Sequence, residues 1–592
     1  MITMTDEPRW SLNDLLSGGP DDLEEALADL ETSLQEVEAY RSRLSADLPV
    51  EAFLDLLHTY ETLIERAYVV GAYAFLTFAE DTQDGAALSL RDRIDKVLTG
   101  VENRSLFFSL WFKSLSDEEA NKYIAAVGDL SYFLESIRRF KPYTLSEPEE
   151  KIINLKDVNG SEGLARIYDI LTNGFEFELE IEGEVKTLTR DALTQHYRSP
   201  SPEVRAATYQ ELYRVYGESR RVLAQIYAFL ARDWWNEQVE LRGYASPIAV
   251  RNLGNDLPDD VVDTLLNVCR ENAGLFQRYF RLKARMLGVE RLRRYDIYAP
   301  VAQAEKSFEF DAAVRLTLDS FQRFSPVVAE AAARVLEENH LDAEVRPGKR
   351  GGAFSYSVTP GLAPWVLVNF NGRIRDVTTL AHELGHAVHS MMASDHSVLN
   401  FHAALPLAET ASVFGEMLVT DRLLQEETDA AVRRDLLVTI LDDAYATVLR
   451  QAFFSLFERT AHDRIAAGCT SEELAQAYME NLDEQFGEAV DLSEEFAWEW
   501  TTIPHIYHSP FYTYAYSFGQ LLVLALYQQY LSEGEPFVPR YLRLLSYGGS
   551  VAPMDMLSET GLDIVSAGFW QGGFDVLQGR MDLLEGIVGG AQ

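Results

Sequence analysis

Apolar positions recur at helical spacing along most of the chain. Between 21 and 46, Leu23, Leu27, Leu30, Leu34 and Val37 fall three or four residues apart on a charged background, which predicts an amphipathic helix. Residues 49–80 and 84–115 read the same way. In Leu145-Ser146-Glu147-Pro148-Glu149, Ser146 is placed to cap a helix, with Pro148 in its first turn and Glu149 closing a capping box. The period then changes. Phe175, Phe177, Leu179 and Ile181 alternate with glutamates, Glu182-Gly183 turns the chain, and Val185 to Leu188 return, which predicts a two-stranded hairpin. We take this hairpin as a boundary between an N-terminal helical region, 1–188, and the rest, 189–592.

Helical spacing resumes over 190–345. It is interrupted by turn-type segments at Ser199-Pro200-Ser201-Pro202, Arg242 to Pro247 and Tyr295 to Pro300. Residues 348–374 differ again. Ala353 to Val358 and the β-branched and aromatic run Trp365 to Phe370 read as strands, with Thr359-Pro360-Gly361 turning the chain between them. The pattern predicts a mainly α protein with one small antiparallel sheet just before its most informative stretch.

That stretch is Leu380-Ala381-His382-Glu383-Leu384-Gly385-His386-Ala387-Val388-His389. Asp376 is the expected N-cap of a helix whose apolar stripe is Leu380, Leu384, Ala387, Val388 and Met391. On such a helix His382 and His386 project from one face a turn apart, the spacing that lets two imidazoles reach one tetrahedral zinc. Glu383 is one step round, near the metal without ligating it, where it can take a proton from water. Gly385 weakens the helix by about 1 kcal/mol relative to alanine, so a close neighbour is expected there.

A catalytic zinc site usually has a third protein ligand. The arrangement that continues with glycine at 389 and histidine at 392 is excluded, because those positions hold His389 and Met392. His389 fits a supporting position better than a ligating one. Pro406 to Glu416 reads as a second helix on which Glu409 and Glu416 lie seven apart, two turns along one face. One carboxylate can complete the ligand set while the other steadies a ligand; a solvated acidic face is the other reading of the same residues. Downstream, Ile503 to Tyr516 holds His505, His508, Tyr507, Tyr512, Tyr514 and Tyr516. A hydroxyl or imidazole N–H from this set could stabilise an oxyanion, and aromatic core packing must account for some of the rings.

Composition narrows the partners. The 592 residues are 47% hydrophobic and 24% charged, as in soluble globular proteins. A net charge of −41 argues against nucleic acid and against anionic membrane surfaces. No run of 18 apolar residues suggests a membrane span, and Met1 to Pro8 shows no basic or apolar leader, so the expected compartment is the cytoplasm. Cys269 and Cys469 are expected as free thiols.

Taken together, the His382–His389 and Glu409–Glu416 segments resemble those of the oligoendopeptidase F family, relatives of thimet oligopeptidase. The likeness extends to Asn371 to Val377, Arg242-Gly243-Tyr244, Tyr295 to Pro300, and Phe511 to Tyr516 with Gly519, so it covers roughly 145–580. The first ~110 residues match only in helical character. The resemblance implies a two-lobed helical body with a deep substrate channel, one Zn²⁺ per chain, and endopeptidase action on short peptides. It implies that His382, His386 and Glu409 are ligands and Glu383 the general base. It makes His505 and Tyr512 catalytic donors, with Glu416, His389, His508, Tyr514 and Tyr516 as supporting or substrate residues. Two other readings stay open: a metallocarboxypeptidase of similar helical build, and a zinc-free helical binding protein. The oligomeric state is not legible in the sequence.

Overall fold

The computed structural model describes residues 8–301 and 306–590. The predicted helices form at Pro20–Ala39 and Val50–Glu80, and the 84–115 stretch divides into Gly85–Ser105 and Phe107–Ser114. The capping box at Ser146 forms, with the Glu149 carboxylate accepting the Ser146 backbone N–H at 2.9 Å. The hairpin pairs Phe177–Ile181 with Glu184–Leu188, Phe177 opposite Leu188. Its turn residues Glu182 and Gly183 both take positive φ, as a tight two-residue hairpin turn requires.

The chain forms two compact units, each assembled from three separated segments, and neither ends at the hairpin. One unit comprises the described residues within 1–142, Lys306–Glu426 and Gln529–Leu562; the other comprises those within 143–305, Glu427–Gln528 and 563–592.

The first unit contains the predicted strands, Phe354–Tyr356 and Trp365–Leu367, paired antiparallel with Ser355 opposite Val366. A third short strand, Leu341–Asp342, lies parallel on the other side of Trp365–Leu367. All three residues of the middle strand are buried, so both its faces are covered, and its sequence is continuously apolar. Trp365 and Leu367 join a core with Trp10, Val70 and Leu76. The buried Asp342 carboxylate is compensated by Arg346 at 2.7 Å and Lys349 at 2.8 Å, and Lys349 also donates to the Val368 carbonyl at 2.7 Å. A buried charge left unpaired would be costly; here the network ties the loop leading into Phe354–Tyr356 to the sheet.

The helix that follows runs Ile374–Met392. It starts earlier than expected, so Asp376 is its third residue rather than its N-cap. The carboxylate still satisfies the helix start, accepting the backbone N–H groups of Arg373 at 3.0 Å and Asn371 at 2.8 Å. The next helix in this part of the unit is Thr410–Glu426. The two meet through glycines: a Cβ on Gly385 would lie 2.5 Å from the Ala411 carbonyl oxygen and 2.6 Å from Ser412 Cα. Gly415 answers from the other side, where a Cβ would lie 3.1 Å from the Ala381 carbonyl oxygen.

The second unit is built around the long helix Pro202–Trp234. Several of its buried charges are paired: Lys283 with Asp442 at 2.7 Å, and the Glu499 carboxylate with Arg294 at 2.7 Å and the half-buried Arg450 at 2.9 Å. Cys269 is buried, Cys469 is half-buried, and both are free thiols. Among the described residues no helix is long and apolar enough to cross a membrane.

Candidate metal centre

The close helix pair brings three donors together. Glu409 lies immediately before the Thr410–Glu426 helix, not within it as the spacing suggested, and its own carbonyl accepts the Val413 N–H at 3.2 Å. From there Glu409 Oε2 lies 3.4 Å from His382 Nε2 and 3.4 Å from His386 Nε2. For zinc bound at about 2.0–2.1 Å, the edge of a ligand tetrahedron is about 3.3–3.4 Å. Both distances match an edge of such a tetrahedron, and ligand atoms of this trio all lie within 4.8 Å of one another. The donor set, two imidazoles and one carboxylate, is that of a hydrolytic zinc site with its fourth position open.

Glu416 meets the other face of His382, its Oε2 3.4 Å from Nδ1. A carboxylate on that nitrogen fixes which ring atom faces the ligand trio. Ser412, which the sequence reading did not single out, donates its hydroxyl to Glu409 Oε2 at 2.7 Å. Its position three residues after a glutamate at a helix start was the available signal.

The electrostatics suit a bound cation. Burial opposes the charge on His382, yet hydrogen bonds to Glu409 and Glu416 outweigh it and push the imidazole up to about 10. Burial likewise opposes charge on Glu409, and His382, His386 and Ser412 together hold its carboxyl down to about 2. The pocket between these groups therefore attracts positive charge, a proton or a metal ion in its place. Glu383 is only 7% exposed, and burial pushes its carboxyl up to about 7. A carboxylate poised there can accept and return a proton near neutral pH.

His389 is buried behind the pair, pushed down to about 4 by burial and by His386. A cavity of about 420 Å³ opens along this face of the helix, lined by His382, Glu383, His386, His389 and Ser390 on one side and by Ser355 and Ser357 on the other.

The downstream segment lies in the second unit. His505 and Tyr512 have parallel rings 5.9 Å apart, and the Tyr516 hydroxyl lies 3.4 Å from His505 Nε2. Tyr514 is fully buried and accepts a hydrogen bond from Asn255 at 2.9 Å, which makes it a strut of the core. His508 pairs with Asp169 at 2.8 Å. The turn before these rings is held by Glu458, whose buried carboxylate accepts the Phe511 N–H at 2.9 Å while Phe511 takes φ +58°.

The chain is similar to known proteins. Oligopeptidase PepF of Bacillus subtilis is 27% identical over 549 residues, covering 90% of this chain and 81% of its own. An oligoendopeptidase F homolog of Borreliella burgdorferi is 26% identical over 599 residues, covering 99% of both. The crystal structure of oligoendopeptidase F from Enterococcus faecium superposes with a TM-score of 0.71 at 25% identity, covering 96% of this chain and 99% of that one. A Chlamydophila abortus protein solved as a candidate peptidase gives 0.90 at 25% identity over 98% of each chain. The family model described as Oligopeptidase F matches residues 111–177, and the one described as Peptidase family M3 matches 195–576, well over half the chain and including His382, Glu383, His386, Glu409 and Glu416. The chain belongs to peptidase family M3.

Proposed function

We propose that this protein is a zinc-dependent endopeptidase that cleaves internal bonds of short oligopeptides. The observation that carries the reading is the convergence of His382, His386 and Glu409 at tetrahedral-edge spacing, with Glu383 beside them and Glu416 behind His382. Those three residues would hold the ion. Bound there, zinc supplies Lewis-acid polarisation of the scissile carbonyl and of the attacking water.

The chain's own residues do the proton work. Glu383 takes the proton from the attacking water and returns it to the leaving amine, so one carboxylate serves both halves of the reaction. Glu416 holds the His382 ring through Nδ1. His389 packs behind the pair as a neutral ring. We assign His505 and Tyr512 as donors to the developing oxyanion, with Tyr516 and His508 placing the substrate and Tyr514 fixing the segment. The support is their chemistry, their clustering and the family likeness.

The substrate class follows from the relatives, which are oligopeptidases by name. The expected compartment is the cytoplasm. The decisive experiment couples metal analysis to product analysis. Protein purified without added metal should carry about one zinc per chain. It should cleave blocked peptides at internal bonds, and Glu383→Gln should keep the zinc and lose turnover. Release of single C-terminal residues would favour a carboxypeptidase. Less than about a tenth of an equivalent of metal would favour a binding protein.

A further inference from the structure

The cavity beside the metal trio extends past it. Beyond His386 the cavity continues a further turn of helix, past His389 and Ser390, and is closed by the segment 401–403. At about 420 Å³ it falls in the range of small-ligand sites, about 300–1,000 Å³. It lies wholly within the first unit.

What lines this extension is uncharged. The chain carries 93 acidic and 52 basic residues, yet apart from Glu383 no carboxylate, lysine or arginine lines the cavity among the described residues. Phe401 is buried and supplies apolar wall with Ala403 and Ala408. Ser390 donates its hydroxyl to the His386 carbonyl at 3.2 Å and lies 2.5 Å from the Ser357 hydroxyl, which leaves Ser357 to donate to Ser390; both protons are engaged, and neither serine carries a charge.

His402 is the exception. It is exposed into the cavity, touches the rings of Tyr68 and Phe401, and makes no side-chain hydrogen bond among the described residues. Its backbone is nonetheless fixed. Gly549 donates to the Asn400 carbonyl at 2.7 Å, and a Cβ on Gly549 would lie 2.3 Å from the His402 carbonyl oxygen. The protein atoms packed around the ring disfavour its charged form. His402 is thus an imidazole without a hydrogen-bond partner among the described residues, on a fixed backbone at the edge of an uncharged pocket.

We infer that the cavity beyond His386 is a substrate side-chain pocket that selects an uncharged residue next to the cleaved bond, and that His402 sets this selectivity. The inference rests on the endopeptidase reading. A charged side chain entering the pocket would lose water and meet neutral groups without an opposite charge, a cost large enough to disfavour it about tenfold or more. An uncharged side chain would pack on Phe401 and meet His402 with either a donor or an acceptor.

The test uses the full-length zinc protein and blocked peptides that differ at one residue beside a common cleavage site. Product analysis by mass spectrometry gives relative kcat/KM for each. The native chain should favour leucine, phenylalanine and glutamine over lysine, arginine, aspartate and glutamate about tenfold at one side of the bond. His402→Glu should invert this for lysine and arginine alone, raising their relative kcat/KM about tenfold. His402→Gln, which keeps a neutral donor and acceptor, should retain the native ranking. Affinities of the same peptides for Glu383→Gln protein, by calorimetry, should rank the same way, and adding His402→Glu should shift them the same way. Cleavage with an unaltered profile in His402→Glu, or a native profile indifferent to charge on both sides of the bond, would overturn the pocket assignment while leaving the peptidase reading intact. No cleavage of any peptide by native protein would overturn both.

Discussion

Gly385 lies against Ala411 so closely that a Cβ on the glycine would sit 2.5 Å from the alanine's carbonyl oxygen. That contact sets the distance between the two helices, and hence whether Glu409 reaches His382 and His386. Gly385→Ala isolates the effect. By propensity alone it should stabilise the helix by about 1 kcal/mol. The clash is with backbone, which has no rotamer to move away, so the helices must separate by a few tenths of an ångström or more. The variant should fold with a lowered Tm and lose zinc affinity by at least about tenfold. Equilibrium competition with a chromophoric chelator measures this; native affinity in the variant would refute the role given to the contact.

The ligand set and the residues behind it should separate by degree. His382→Ala, His386→Ala or Glu409→Gln should each leave less than a tenth of the native zinc, measured after dialysis. Glu416→Gln keeps a hydrogen-bonding group beside His382 Nδ1 but removes its charge, and should weaken zinc about 10- to 100-fold. Ser412→Ala should do less, because it removes one of several groups holding the Glu409 carboxylate. Chelation should abolish activity in the native protein, and stoichiometric zinc should restore it. If Glu416→Gln binds as tightly as the native chain, the 3.4 Å approach to Nδ1 has no energetic role.

Much of this was legible beforehand because it rests on local rules. The spacing of His382, Glu383 and His386 fixes their faces once the segment is helical, and Gly385 announced its close neighbour through its poor propensity. The hairpin announced itself by alternating Phe177, Leu179 and Ile181 with glutamates. What escaped depended on distant partners. The residue type of Asp376 suits an N-cap, but the cap geometry also depends on the Asn371-Gly372 turn before it, where Gly372 takes φ +80°. No local signal marks the helix start at Thr410, so spacing alone puts Glu409 inside the helix it precedes. The third strand, Leu341–Asp342, is two residues long and is defined only by pairing with Val366 and Leu367. The three-segment build of each unit follows from long-range packing that no local period encodes.

The tyrosines of the second unit should divide by role. Tyr512 is half-buried beside His505, and Tyr514 is fully buried on Asn255. Tyr512→Phe keeps the ring stack and removes only the hydroxyl. If that hydroxyl steadies an oxyanion, kcat should fall about 10²- to 10³-fold with little change in KM. Tyr514→Phe leaves the Asn255 amide without its acceptor and should lower stability by about 1–2 kcal/mol while sparing kcat. Steady-state kinetics and denaturant unfolding on both variants decide it. A Tyr512→Phe enzyme with native kcat would transfer the donor role to His505.

One turn apart on the Arg450–Ala466 helix, Glu458 and His462 give opposite responses to pH. His462 is buried against Tyr227 and Phe511 without a hydrogen-bond partner among the described residues, and burial pushes it down to about 3. Between its ordinary value near 6.5 and about 3, the unfolded chain holds a proton that the folded chain lacks. Stability therefore falls as pH falls through that window, by up to a few kcal/mol. Glu458 is buried too, and burial pushes its carboxyl up to about 8, against the pull of the Phe511 N–H and Arg251. Between about 4.5 and 8 the folded chain holds a proton that the unfolded chain has released, so this group lowers stability as pH rises through that range. Urea unfolding of the second unit, followed by tryptophan fluorescence from pH 4 to 8.5, should show both slopes. His462→Phe, which suits the ring contacts, should flatten the acid limb. Glu458→Gln, which can still accept the Phe511 N–H, should flatten the limb above pH 6. If both variants keep the native pH profile, neither buried group is the source of the dependence.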